Sequence, residues 1–144
     1  MNKCIIAIAT ANCLVGSLVG CGSDGPETVR IYGTITADGS VCPGGGTIYF
    51  QPIKSARADL PQRPATADFE ADGKFRVTSF DDGDGLVPGD YQVRVECWLS
   101  RAQGYDKPGI PWGPGAYTLP TPLVVEPGQG SVGVDIDIPA TAAN

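Results

Sequence analysis

A chain of 144 residues with 10 Lys and Arg against 16 Asp and Glu, a formal net charge of −6, fits one domain. Its scattered basic residues exclude the clustered positive charge that nucleic acid or a phosphate-rich surface demands of a partner. It holds no histidine, which excludes serine or cysteine catalysis by an imidazole base, histidine metal ligation and imidazole pH switching together.

In chain order, the first predicted element is an export signal. Lys3 supplies its positive charge, and Cys4 to Val19 is mostly Ile, Ala, Leu and Val, interrupted by Thr10, Asn12 and Ser17. The run is shorter than the ~20 apolar residues of a spanning helix, which argues against a transmembrane anchor. Leu18-Val19-Gly20-Cys21 closes it with the apolar pair, small residue and cysteine of a lipobox. In that reading signal peptidase II cuts between Gly20 and Cys21, and Cys21 carries a diacylglycerol that holds the protein to the exported side of a membrane. The competing readings are an ordinary secretory signal beside a coincidental cysteine, and an uncleaved anchor. Gly22 to Pro26 is small, polar and helix-breaking, the composition of a flexible tether. Loss of residues 1–20 removes Lys3 alone among the charged residues, so the charge moves from −6 to −7. The chain then divides into a signal peptide over 1–20, a lipidated cysteine and tether over 21–27, a domain over 28–139 and a tail over 140–144. Seven residues of tether reach no more than about 25 Å, which keeps the domain near the bilayer.

Past the tether, glycine and proline punctuate short apolar alternations, and no window sustains a helical period. Val29, Ile31, Gly33 and Ile35 share one face of a strand, with Arg30, Tyr32, Thr34 and Thr36 on the other. Gly44-Gly45-Gly46 is a bend, not a phosphate loop, because no Lys, Ser/Thr partner or helix follows. It leads into a strand over 47–51 that Pro52 is expected to end, and Lys54 to Pro64 is a loop. Ala65, Ala67 and Phe69 alternate with polar residues, and the Asp72-Gly73 turn joins them to Phe75 and Val77 as a hairpin. Asp81 to Asp90 is an acidic loop. Tyr91, Val93, Val95 and Cys97 form the clearest strand face, with Arg94 and Glu96 as surface charges opposite. Arg101 to Pro120 is a long Pro/Gly/aromatic loop, Leu123 to Val125 a short strand, and Val132, Val134, Ile136 and Ile138 line the last one. The prediction is all-β: a seven-stranded antiparallel β-sandwich behind a cleavable lipoprotein signal peptide.

The succession Gly33-x-Ile35-Thr36-x-Asp38-Gly39, Gly46-Thr47-Ile48-x-Phe50-x-Pro52, Asp72-Gly73-x-Phe75 and Pro88-Gly89-x-Tyr91-x-Val93-x-Val95 resembles the carboxypeptidase regulatory-like, or transthyretin-like, family. With the lipoprotein signal, the chain is similar to small exported bacterial lipoproteins of that kind. The resemblance implies a prealbumin-type sandwich; its motifs are turn glycines and core aromatics, which specify architecture and not activity. Two chemistries known on such sandwiches lack their residues here. Hydroxyisourate hydrolysis uses histidines, and the pilin lysine–asparagine crosslink needs an asparagine, of which the mature chain has only Asn144.

Four groups of residues remain as candidate sites. Cys42 and Cys97 are the cysteines left once Cys4, Cys13 and Cys21 are accounted for; they bridge or stay as buried thiols, and spacing alone does not decide. Asp81, Asp82 and Asp84 gather carboxylates such as a hard cation takes, but without the longer ligand series of an EF-hand, so a solvated acidic turn is the preferred reading and no metal is expected. Trp98, Tyr105, Trp112 and Tyr117 concentrate rings that either contact a glycan or protein partner or fold back over the core. Cys21 is the modification site. The function expected is a non-enzymatic, lipid-anchored structural or protein-interaction module of the cell envelope. It needs no cofactor and binds no nucleic acid; its partners are the membrane and an envelope protein or glycan. The alternative is a carbohydrate-binding module using the 101–120 loop.

Overall fold

Each alternation in the sequence needs a partner strand for its backbone and an apolar neighbour for one face, and the computed structural model supplies both over the residues it describes, 25–139. The signal segment, Cys21 and the 140–144 tail lie outside the described residues. Nine strands follow in order: β1 (Arg30–Ala37), β2 (Gly46–Ser55), β3 (Ala65–Phe69), β4 (Lys74–Arg76), β5 (Gly89–Ser100), β6 (Ile110–Thr118), β7 (Leu123–Val125), β8 (Ser131–Gly133) and β9 (Ile136–Ile138). No helix occurs among the described residues. Their order in the sheet is β6-β5-β2-β3-β4-β1-β8, with β7 also paired to β5 and β9 also paired to β1.

The inward faces merge into one apolar core that includes Ile31, Ile35, Ile48, Phe50, Phe69, Tyr91, Val93 and Val95. Ile138 of β9 lines the same crevice as Val95 and Cys97 of β5, although these strands stand far apart in the sheet order. The sheet therefore curls around this core. Tyr91 is 2 % exposed, and its hydroxyl donates to the Val87 carbonyl at 2.7 Å. Burial pushes its phenol up to about 12.

Three sequence expectations change. The sheet is mixed, not purely antiparallel: β1 pairs in parallel with β8, from Arg30↔Ser131 to Tyr32↔Gly133, and with β9, from Ile35↔Ile136 to Ala37↔Ile138. The cause is the course of the chain. β7 leaves the β5 side of the sheet at the end where β1 starts, and the 126–130 segment carries the chain to the β1 side, so β8 sets out alongside β1 in the same direction.

Among the described residues there are nine strands instead of seven, because the last one breaks between β8 and β9 and part of the expected 101–120 loop is β6. At the break, the Val134 carbonyl occupies the place a Cβ on Gly33 would take. The Asp135 carboxylate accepts the Thr34 N–H at 2.9 Å in place of a ladder bond. Asp137 likewise accepts the Gly39 N–H at 3.0 Å and the Thr36 hydroxyl at 2.7 Å, and these bonds hold its carboxyl below the ordinary value. β6 escaped the alternation test because Pro111, Gly113, Pro114 and Gly115 interrupt it. Such residues are tolerated on an edge strand, which need not donate to a further neighbour.

Third, Pro52 does not end β2. It pairs with Tyr91, and a bulge between Pro52 and Lys54 carries the strand on to Ser55.

Candidate functional site

The strands give the molecule two ends. At the entry end, where residues 25–29 lead into β1, Glu27 accepts the Gly128 N–H at 2.6 Å and pairs with Arg57 at 3.3 Å. Val29 and Leu86 exchange backbone bonds there. At the opposite end, β2 begins, β5 finishes and Cys42 is joined to Cys97, with Cα atoms 5.7 Å apart. Both cysteines are buried.

The glycine triplet at this bridge end is required by crowding. Gly45 has φ +66°, and a Cβ there would strike the Phe69 carbonyl; one on Gly46 would strike the Glu96 carbonyl and the Phe69 ring. The Gly44 N–H donates to the Trp98 carbonyl, and the Trp98 N–H returns a bond to Gly45. Arg101 then ties the ends of neighbouring strands together. Its guanidinium donates to the carbonyls of Gly46 at 2.7 Å, Phe69 at 2.9 Å and Gly44 at 3.1 Å. Nothing local in the sequence singles out Arg101 for this role, since its acceptors come from the glycine triplet that opens β2 and from the end of β3.

The four aromatic residues of the sequence reading do not form one surface. Tyr117 pairs with inward-facing Val95, and Tyr117 and Trp112 pack against the core and line the crevice beside Cys97 and Ile138. Trp98 follows inward-facing Cys97 and so lies on the other face of β5, where Gly109 passes within contact of its ring. Tyr105 stands fully exposed at the tip of a turn closed by the Gln103 N–H and the Lys107 carbonyl.

The acidic loop is also divided. The Asp84 carboxylate accepts the N–H of Ser79 at 2.8 Å and of Phe80 at 3.1 Å, while the Ser79 hydroxyl donates to Gly85 at 2.6 Å. Asp82 pairs with Arg76 at 3.5 Å, and Asp81 faces solvent. Asp84 serves its own turn as an acceptor for backbone donors.

The outer face of the sheet holds polar side chains in cross-strand register. Thr118, Arg94, Tyr49, Thr66 and Thr78 form one row across β6, β5, β2, β3 and the residues after β4. Arg94 lies over the Tyr49 ring, 5.0 Å from its centroid, and also pairs with Glu96; the Tyr49 hydroxyl donates to Glu96 at 3.2 Å. Burial, reinforced by the Glu96 carboxylate, pushes the Tyr49 phenol above its ordinary value. A shallow depression of about 440 Å³ is lined by Tyr49, Gln51, Gln92, Arg94 and Thr118. A second, of about 500 Å³, lies over β3 and β4 and includes Thr66, Asp68, Lys74 and Arg76 in its lining. The sequence pattern places Tyr32 and Arg94 on outward positions of separate strands and does not single out Tyr49 within the 47–51 strand.

No family model matches the chain, and no curated protein or solved structure matches it either.

Proposed function

We propose that the chain is a lipid-anchored, non-catalytic module of the cell envelope: a prealbumin-type β-sandwich, related to the transthyretin-like domains, held by Cys21 and presenting its far end to an envelope partner. The observation that carries this reading is the separation of the two ends. The entry end follows Cys21 within a few residues, and the bridge end lies the length of β5 away. Twelve residues of β5 at ~3.3 Å each span about 40 Å. A lipid at Cys21 would hold the entry end near the headgroups and project the bridge end outward. The Tyr91 hydroxyl bonded four residues back to Val87 supports the sandwich assignment, because a tyrosine tied to upstream backbone at the start of a strand is a recurring device of β-sandwiches.

The test is Cys21→Ala in the full chain, followed by cell fractionation and N-terminal peptide mass. The reading predicts a lipid-sized mass on Cys21 in the membrane fraction, and loss of both the lipid and the processed N-terminus in the variant. An unmodified Cys21, or a variant that fractionates as the parent does, would overturn it.

A further inference from the structure

The two outer-face depressions adjoin. Thr66 lines the one over β3 and β4, and its direct cross-strand partner Tyr49 lines the other. Tyr32 lines neither, but it is the cross-strand partner of Arg76, which lines the first. Tyr32 and the two depressions thus follow one another across the strands from β1 to β6, and we treat the succession as one trough. Five strand intervals at ~4.8 Å give it a length of about 24 Å.

Tyr32 closes one end of this trough. It pairs with Arg76 on one side and with Gly133 on the other. Its ring lies over Gly133, so that a Cβ at Gly133 would sit 3.6 Å from it, and the residue remains 52 % exposed. The absent side chain at Gly133 gives the ring a flat floor. A flat, exposed ring backed by protein is a surface on which the C–H face of a pyranose stacks. Farther along, the Arg94 guanidinium presents planar donors above Tyr49.

Cations and carboxylates are balanced along the trough: Arg76 pairs with Asp82 and Arg94 with Glu96, and Lys74 shares the lining of the first depression with Asp68. Asp68 accepts a bond from the Thr47 hydroxyl and keeps oxygens directed to solvent. An acidic polymer would need a net excess of cations, and here Arg76, Arg94 and Lys74 are offset by Asp82, Glu96 and Asp68. A protein partner would need a dry apolar centre, and here the two tyrosines are separated by charged and hydroxyl groups. Interleaved donors and acceptors beside a stacking ring, in a long open trough, suit a neutral, hydroxyl-rich chain.

We propose that this trough, from Tyr32 across Thr66 to Tyr49, binds an uncharged polysaccharide. The assignment is independent of the lipid on Cys21 and moves glycan recognition from the 101–120 segment to the sheet face.

The experiment is titration of the full chain with a panel of neutral glucan, mannan and galactan oligosaccharides long enough to cross the trough, followed by calorimetry. Tyr32→Ala and Arg76→Ala are compared with Tyr105→Ala, each first shown to unfold at the parent temperature. The expected result is salt-insensitive binding of at least one neutral oligosaccharide, weakened by about tenfold or more in each trough variant and unchanged in Tyr105→Ala. If Tyr32→Ala fails to fold, Tyr32→Phe and Arg76→Ala decide: Phe keeps the stacking ring and must retain binding. No binding across the panel would overturn the proposal. So would binding lost in Tyr105→Ala but kept in the trough variants, or this face capturing only an acidic polysaccharide or a protein.

Discussion

The 101–120 segment and the outer sheet face both carry aromatic rings, and they use them in opposite ways. In the first, Trp112 and Tyr117 turn inward against the core and Tyr105 is left in the open, while Gly109 passes beside half-buried Trp98 of the adjoining β5. In the second, Tyr32 and Tyr49 stand on separate strands with polar neighbours in register and their packing needs met by backbone and by Arg94. Density of aromatic residues along a chain reports how much ring surface a segment has. Whether that surface is spent on the core depends on which side of the sheet each ring falls.

The comparison predicts that changes at the bridge end cost stability and leave the outer face intact. The largest effect belongs to the disulfide. Replacing Cys42 and Cys97 by serine frees a loop with a sequence separation of 55, which the chain-entropy treatment values at about 4 kcal/mol. Denaturant unfolding should show a loss of that order; an unchanged midpoint would mean that the glycine triplet and Arg101 hold this end by themselves.

Next comes Tyr91, which belongs to neither region and calibrates the core between them. Its phenol rises from 10.0 to about 12 on folding. Between those values the folded state holds a proton that the unfolded state has released, so stability falls as pH rises through the window. The loss is about 3 kcal/mol at its upper end. Tyr91→Phe should remove this component of the alkaline slope and, at neutral pH, cost about 1–2 kcal/mol for the Val87 carbonyl left without its partner. An alkaline limb identical in both proteins would contradict the assignment.

Third, Arg101→Ala removes three guanidinium-to-carbonyl bonds. Partial exposure reduces their worth, and about 2 kcal/mol is expected. Amide exchange should accelerate at Gly46 and at the residues following Phe69, with no change at Tyr32.

Much of the framework was legible because burial of one sheet face writes a period of two into the sequence. Val29 to Ala37, Ala65 to Phe69 and Tyr91 to Cys97 carry that period unbroken. What escaped was non-local. Val132 to Ile138 also alternates without a break, yet the strand is interrupted where Val134 crosses Gly33, a collision set by another strand. Parallel and antiparallel partners impose the same alternation, so the direction of β8 and β9 was not written locally. The cysteines are 55 positions apart, and they meet because β2 pairs with β5 at Gly46↔Cys97.

The candidate site followed the same division. The acidic and aromatic clusters were visible as composition, but the structure distributes them among a turn, a core and a tip. The outer trough was invisible because its members come from strands scattered between β1 and β6 and are brought into register only by the sheet order. If the entry end is held by lipid, that face stands roughly upright from the membrane, open along its length.

The most direct test of the contrast between the two regions is an amide correlation spectrum of the isotope-labelled full chain, recorded with and without a neutral oligosaccharide. The account predicts shifts concentrated at Tyr32, Thr66, Tyr49 and Arg94, with the resonances of residues 103–107 unmoved. Shifts centred on Tyr105 and its neighbours, or none at all, would contradict it.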